Sequence, residues 1–109
     1  MPFIVVDEEN FDGVLAEELA KEHTVILKFA STLCDSCEIM EYELSEVHER
    51  VPKVSILHID AGVSEGLLYR FLVEQVPTTL ILKDANTQLL YKTGIMLADD
   101  IVDVILKGR

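Results

Sequence analysis

The chain has only two cysteines, Cys34 and Cys37, which lie in the stretch TLCDSCEIM with two residues between them. Thiols at this spacing can interconvert between a dithiol and a disulfide, bind a metal ion, or fill space as inert apolar side chains. The choice between these uses depends on the local structure that holds the pair. The strands and helices on either side determine that local structure.

Hydrophobic patterns predict strands and helices that alternate along the chain. The predicted strands are residues 3–6, 24–30, 54–60, 78–83 and 88–93, with the turn DANT joining the last two. The predicted helices carry Phe11, Val14, Leu15 and Leu19 (capped by Asp7 or Asn10); the stretch from near Cys34 to before Pro52; Leu67, Leu68, Phe71 and Leu72 (capped by Ser64); and Leu97, Ile101, Val104 and Ile105.

The order β-α-β-α-β-α-β-β-α is typical of an α/β fold. Strands that alternate with helices pair in parallel through right-handed crossovers, and the closing hairpin adds an antiparallel edge. We therefore predict a mixed central β-sheet flanked by helices on both faces. With 109 residues, half of them hydrophobic, the chain is expected to be a single domain spanning residues 1–109.

The cysteine pair falls where a predicted strand ends and a helix begins. Residues three apart on a helix are neighbours, so a disulfide between Cys34 and Cys37 is feasible. The free N–H groups and the dipole of the helix start favour a thiolate at Cys34, which would be the nucleophile. Cys37, one turn further in, would resolve the mixed disulfide. Two inert buried cysteines are the alternative.

Metal binding is a further interpretation of the pair. A closed zinc site needs four ligands, and beyond the cysteines the chain offers His23, His48 and His58. On a regular helix His48 lies roughly 21 Å beyond Cys34, which is too far. The other two histidines are more simply explained as surface or hydrogen-bonded residues. A site of four cysteines shared by two chains stays open.

The composition limits the possible partners and the compartment. The net charge is −11, and residues 1–50 hold thirteen acidic residues against three basic ones. Such a surface disfavours nucleic acid and favours a neutral or basic partner. The start of the chain lacks the basic region of a signal peptide, and no apolar run reaches the roughly 20 residues of a membrane span. We therefore expect a cytoplasmic protein without membrane contact, in which a disulfide would be transient.

Four segments resemble the thioredoxin family: VILKFASTLCDSC, ILHID, VPTTLIL and the glycine of YKTG. They extend over nearly the whole chain in the family's order and spacing. The resemblance implies a thioredoxin-like fold in which Pro77 follows a cis peptide bond and faces the disulfide. It also implies that the backbone of Val76 pairs with a bound peptide as an added strand.

Two departures from the family concern charge near the cysteines. The usual Gly-Pro between them is Asp35–Ser36, and the Asp35 carboxylate opposes formation of the Cys34 thiolate. The position of the family's buried aspartate holds Lys28. Lys28 could stabilise a Cys37 thiolate or relay its proton; the alternative, which we favour at this point, is that its ammonium extends to solvent.

The third departure is the absence of tryptophan. The family's aromatic residue before the first cysteine is Leu33, and its other Trp position is Ala30. The resemblance therefore implies an aliphatic substrate-binding surface. Its expected members are Leu33, Val76, Pro77, Ile95 and also Met96.

These features predict a thiol–disulfide oxidoreductase that acts as a protein-disulfide reductase through Cys34 and Cys37. No cofactor is expected, because electrons pass between thiols. The expected partners are protein disulfide substrates and a thiol-reducing partner, and we expect a monomer. The alternatives are a non-catalytic interaction module that uses the groove around Pro77, and an intersubunit metal site.

Overall fold

Five strands and four helices occupy residues 2–109, the part of the chain that the computed structural model describes. The strands are β1 (Phe3–Val6), β2 (Thr24–Ala30), β3 (Val54–Asp60), β4 (Thr78–Asp84) and β5 (Thr87–Thr93). The helices are α1 (Phe11–Ala20), α2 (Asp35–Arg50), α3 (Glu65–Arg70) and α4 (Ala98–Gly108). None of these helices combines the length and apolar character needed to cross a bilayer.

The strands form one mixed sheet in the order β1-β3-β2-β4-β5. β1, β3 and β2 are parallel, whereas β4 is antiparallel to β2 and β5 is antiparallel to β4. The predicted mixed sheet with an antiparallel hairpin is confirmed. The parallel pairing expected for strands that follow a helix is wrong for β4, which is antiparallel to β2. Six-residue α3 rises only about 9 Å, and the chain does not return to the end of the sheet where β2 starts: β4 starts beside the end of β2, where Thr78 pairs with Phe29.

Side chains of β2 alternate between two hydrophobic cores, one on each face of the sheet. Ile26 belongs to the core shared with α2 and α4, and Val25, Leu27 and Phe29 belong to the core shared with α1 and α3. Every residue of β2 is buried, because strands lie on both sides of it and helices cover both faces. Lys28, on the same face as Ile26, therefore points toward the α2 layer.

Two helix predictions differ from the structure at their ends. α3 ends at Arg70, so Phe71 and Leu72 follow the helix rather than belong to it. Leu72 has a φ of 57° and is exposed, a conformation that no α-helix accommodates. Leu97 precedes α4 as its N-cap residue. The long helix is confirmed, since α2 begins directly after Cys34 and ends two residues before Pro52.

Candidate functional site

Cys34 and Cys37 form a disulfide at the start of α2, with their Cα atoms 5.2 Å apart. Cys34 is the N-cap residue of α2, and its sulfur accepts a hydrogen bond from the backbone N–H of Cys37 at 3.2 Å. Cys34 is partly exposed, whereas only 4% of Cys37 is exposed. This arrangement provides one accessible sulfur and one shielded sulfur, both near the positive end of a helix.

Leu33 projects into solvent directly before the pair. Its φ of 55° lies in the left-handed region, and its side chain is fully exposed. A leucine exposed to this extent gains no free energy from leaving water. The result is an exposed apolar side chain directly beside Cys34.

The other residues expected to bind substrate lie at the same end of the sheet as the cysteines. The Val76–Pro77 peptide bond is cis, and Pro77 is buried directly before β4, whose first residue pairs with the end of β2. The backbone N–H of Gly94 donates a hydrogen bond to the carbonyl of Pro77. This bond brings the segment after β5 to the same end of the sheet. Ile95 is 41% exposed. The fold thus brings Leu33, Val76, Pro77 and Ile95 to the same end of the sheet, with Met96 adjacent.

Lys28 does not reach solvent, so the favoured interpretation of an exposed ammonium is wrong. Its side chain is 3% exposed, and Nζ lies 3.3 Å from Oε2 of Glu41 on α2. Nζ also lies 2.6 Å from Nδ1 of His58 on β3 and 4.9 Å from the ring centre of Phe3. The ammonium is buried because β2 is central and α2 covers its face. It is compensated by a carboxylate, a ring nitrogen and an aromatic face.

The environment of this charge cluster, defined as Lys28, Glu41 and His58, shifts the pKa values of its two bases. Burial lowers the pKa of Lys28, while the carboxylate of Glu41 raises it. Burial also lowers the pKa of His58, and the positive charge of Lys28 lowers it further. The two nitrogens lie within hydrogen-bonding distance, and a His58 ring with its proton on Nε2 can accept this bond at Nδ1 from the Lys28 ammonium.

A cavity of about 390 Å³ connects the disulfide with the charge cluster. Both cysteines contribute to its wall, as do Asp35 and Glu38 near the start of α2. The remaining lining residues are Lys28, Ala30, Ser31, Thr32, Leu33, Glu41 and His58. The cavity gives solvent and small solutes a path from the surface to the side of Cys37.

The sequence did not identify Glu41 and His58 as site residues. Glu41 follows Cys37 by four residues on α2, so helical spacing alone would have placed it on the same face. His58 is the register partner of Lys28 on β3, a relation that depends on strand order. The interpretation of His58 as a hydrogen-bonded histidine is confirmed.

The remaining histidines lie away from the cysteines. His23 Nδ1 is 2.8 Å from Ser55 Oγ, and His48 is exposed on α2. Within residues 2–109, no group of three or more His, Cys, Asp or Glu side chains is arranged to hold a metal ion.

Comparisons with known proteins agree with this geometry. The family model described as Thioredoxin matches residues 2–107. The thioredoxin of Chlamydia trachomatis serovar D is 26% identical over 105 residues, covering 96% of this chain and 97% of that protein. Chloroplastic thioredoxin z superposes with a TM-score of 0.84 at 24% identity, covering 98% of this chain and 94% of that one. Thioredoxin NaTrxh from Nicotiana alata has a TM-score of 0.84 at 21% identity, with coverages of 99% and 93%.

Proposed function

We propose a protein-disulfide reductase, on the premise that this chain belongs to the thioredoxin family. Membership and the Cys34–Cys37 pair make it a thiol–disulfide oxidoreductase. The proposal adds that the dithiol form reduces disulfides of other proteins. The observation that carries it is the unequal exposure of the two sulfurs at the start of α2.

Cys34 is the nucleophile in this proposal. Its partly exposed sulfur accepts an N–H bond from the first turn of α2, and such bonds together with the helix dipole stabilise a thiolate. The Cys34 thiolate attacks one sulfur of a substrate disulfide, and the other substrate sulfur leaves as a thiolate. Cys37 then attacks Cys34, which releases the second substrate thiol and leaves the Cys34–Cys37 disulfide. A thiol-reducing partner restores the dithiol, and no cofactor is needed.

The substrate-binding surface consists of Leu33, Val76, Pro77 and Ile95. An extended segment of the substrate would lie beside the backbone of Val76 and pair with it as an added strand. Leu33 and Ile95 would contact apolar side chains that flank the substrate cysteine. An aliphatic surface offers apolar contact area but not the stacking that an aromatic residue would provide. The side chains of the substrate segment are therefore expected to be aliphatic rather than aromatic.

Reduction of insulin by dithiothreitol, with and without the protein, tests this proposal. We expect the wild type to accelerate precipitation of the insulin chains, and Cys34→Ser to abolish the acceleration. Cys37→Ser should form a stable mixed disulfide through Cys34, visible by mass spectrometry and released by reductant. Leu33→Ser, an exposed change next to Cys34, serves as the variant that weakens substrate binding while both thiols remain.

The result also separates the alternatives. A wild type that does not accelerate insulin reduction would contradict the reductase and favour the interaction module at the Pro77 groove. A stoichiometric metal content in anaerobically purified protein would favour a site of cysteines shared between two chains. Equilibration with a series of glutathione buffers then tests the direction of exchange, since a reductant stays a disulfide except in strongly reducing mixtures.

A further inference from the structure

The charge cluster beneath Cys37 is not used by the exchange steps described above. We propose that Glu41 accepts the proton of Cys37 during the resolving step, and that Lys28 and His58 are positioning residues for the Glu41 carboxylate. This inference rests on the proposed thiol–disulfide exchange. The proposed proton acceptor thus lies on α2, because the lysine at position 28 of β2 carries no carboxylate.

A proton acceptor is needed because Cys37 must attack as a thiolate. A free thiol has a pKa of about 8.5, and burial in general disfavours a thiolate. The Cys37 side chain is nearly fully buried and lies beneath Cys34. A thiol of ordinary pKa is mostly protonated at neutral pH, so its attack on the mixed disulfide is faster when a base takes up the proton.

Glu41 has the required position. It lies one turn after Cys37 on α2, so the two Cβ atoms are about 5–6 Å apart on one face of the helix. Both side chains line the same cavity, and a carboxylate in this position reaches the thiol directly or through one water molecule. The Glu41 side chain is 46% exposed, so it can pass the accepted proton on to solvent.

Lys28 and His58 hold the carboxylate in this place. Lys28 contacts only Oε2 of Glu41, at 3.3 Å, so the other oxygen can face the cavity. The Lys28 ammonium is itself held by Nδ1 of His58 at 2.6 Å. Without this cation, a half-exposed glutamate would sample solvent-directed rotamers.

The other titratable groups near the cavity are less suited to this role. Lys28 is an ammonium with no acceptor atom, and the Nδ1 of His58 is occupied by it. Glu38 follows Cys37 by one residue, and adjacent helix residues do not face each other. The charged or titratable groups around Glu41 include Lys28 on β2, His58 and the nearby Asp60 on β3, and Asp35, Glu38 and Tyr42 on α2.

The proposed step balances as follows. In the mixed disulfide, Cys34 is bonded to the substrate sulfur, and Cys37 is a thiol. The thiol proton moves to the Glu41 carboxylate while the Cys37 sulfur bonds to the Cys34 sulfur. The bond to the substrate breaks, and the substrate sulfur leaves with the electron pair as a thiolate. The proton on Glu41 then passes to the departing thiolate or to solvent.

Single-turnover reaction of the reduced protein with an excess of the aromatic disulfide DTNB tests this inference. The attack of Cys34 releases a first coloured thiolate, and resolution by Cys37 releases a second, so the two steps appear as two phases. In Glu41→Gln we expect the second phase at pH 6.5 to slow by about a hundredfold, the lower end of the roughly 10²–10⁴-fold contribution of general base catalysis. The first phase should change little.

The pH profile distinguishes a proton acceptor from a structural residue. The second phase of Glu41→Gln should approach that of the wild type at alkaline pH, where the thiol ionises unaided. Glu49→Gln, an exposed change on the same helix outside the cavity, removes the same charge and should leave both phases unchanged. Lys28→Met should slow the second phase at low pH in the same way, and Glu41→Asp should restore part of the rate.

A second phase in Glu41→Gln equal to that of Glu49→Gln would overturn the inference and leave the proposed reductase intact. Slowing by the same factor at every pH would also overturn it, because that result indicates a distorted site rather than a lost base. A wild type without the first phase would overturn the reductase and the inference together. Far-UV circular dichroism of each variant confirms that the fold is retained in the comparison.

Discussion

The ion pair between buried Lys28 and half-exposed Glu41 leads to a quantitative prediction about stability. Opposite unit charges 3.3 Å apart attract each other by about 5 kcal/mol at an effective dielectric constant of 20. Glu41 is 46% exposed, so solvent screens much of this attraction, and fully exposed pairs contribute only about 0.2–1 kcal/mol. We therefore expect a coupling free energy of about 1–2 kcal/mol between these two side chains.

A double-mutant cycle measures this coupling directly. Glu41→Gln keeps the shape and an acceptor oxygen but removes the charge, and it should lower the free energy of unfolding by about 1–2 kcal/mol. In the Lys28→Met background the same change should have an effect within about 0.5 kcal/mol of zero. Because the chain has no tryptophan, unfolding of the oxidised protein in urea is best followed by far-UV circular dichroism.

An exposed pair on the same helix provides the matched control. Arg50 Nη1 lies 2.9 Å from Glu46 Oε2, and both side chains are more than 40% exposed. The cycle of Glu46→Gln with Arg50→Met should give a coupling of roughly 0.3–0.5 kcal/mol. If the Lys28–Glu41 coupling does not exceed that of this control pair, the claim that the ammonium is buried against Glu41 is wrong.

The pH dependence of stability checks the burial of Lys28 independently. Burial lowers the pKa of Lys28 in the folded state below its ordinary value of 10.5. Between these two values the unfolded chain binds more protons, so the free energy of unfolding increases with pH. The stability of the wild type relative to Lys28→Met should therefore rise as the pH is raised toward 10.5. A constant difference over this window would contradict the lowered pKa.

Two further predictions concern Ser55 and Asp35. The Ser55 hydroxyl donates a 2.7 Å hydrogen bond to the nearly buried Glu18, so Ser55→Ala should cost about 1.5–3 kcal/mol at pH 7, measured by urea unfolding. Lys21 and then Ser55 lower the pKa of Glu18, so this cost should shrink below pH 4.5, and a cost independent of pH would contradict the assignment. Asp35→Gly should lower the pKa of the Cys34 thiol, measured by the pH dependence of its alkylation, because a neighbouring negative charge is removed. An equal or higher pKa in the variant would exclude repulsion by Asp35.

Local patterns in the sequence were sufficient for the elements that carry the cysteines. The apolar run of residues 24–30 and the helical repeat after Cys37 predicted β2 and α2, and the structure has both at nearly the expected bounds. The relative exposure of Cys34 and Cys37 followed from their order in the first turn of a helix. Such features depend on residues that are close in the chain, so the hydrophobic periodicity of the sequence predicts them.

The end of α3 could not be predicted from the sequence pattern. Apolar residues continue through Phe71 and Leu72 at helical spacing, but the helix ends at Arg70. Phe71 packs against Phe11 and Phe29 at the end of the helix, so its burial comes from tertiary contacts and not from helical periodicity. Propensity and pattern cannot distinguish these two origins of an apolar residue.

The sequence by itself determined the strand–helix order, the C-x-x-C pair at the start of a helix and the resemblance that identified Pro77. Only the tertiary structure decided the state of Lys28, because a lysine in a strand extends to solvent or is buried depending on what lies beside and above it. β2 lies between β3 and β4, and helix α2 covers the face that carries Lys28. The Lys28 side chain is therefore buried. These elements brought His58 and Glu41, from distant parts of the chain, to the buried ammonium, since an unpaired charge in the interior is too costly to persist.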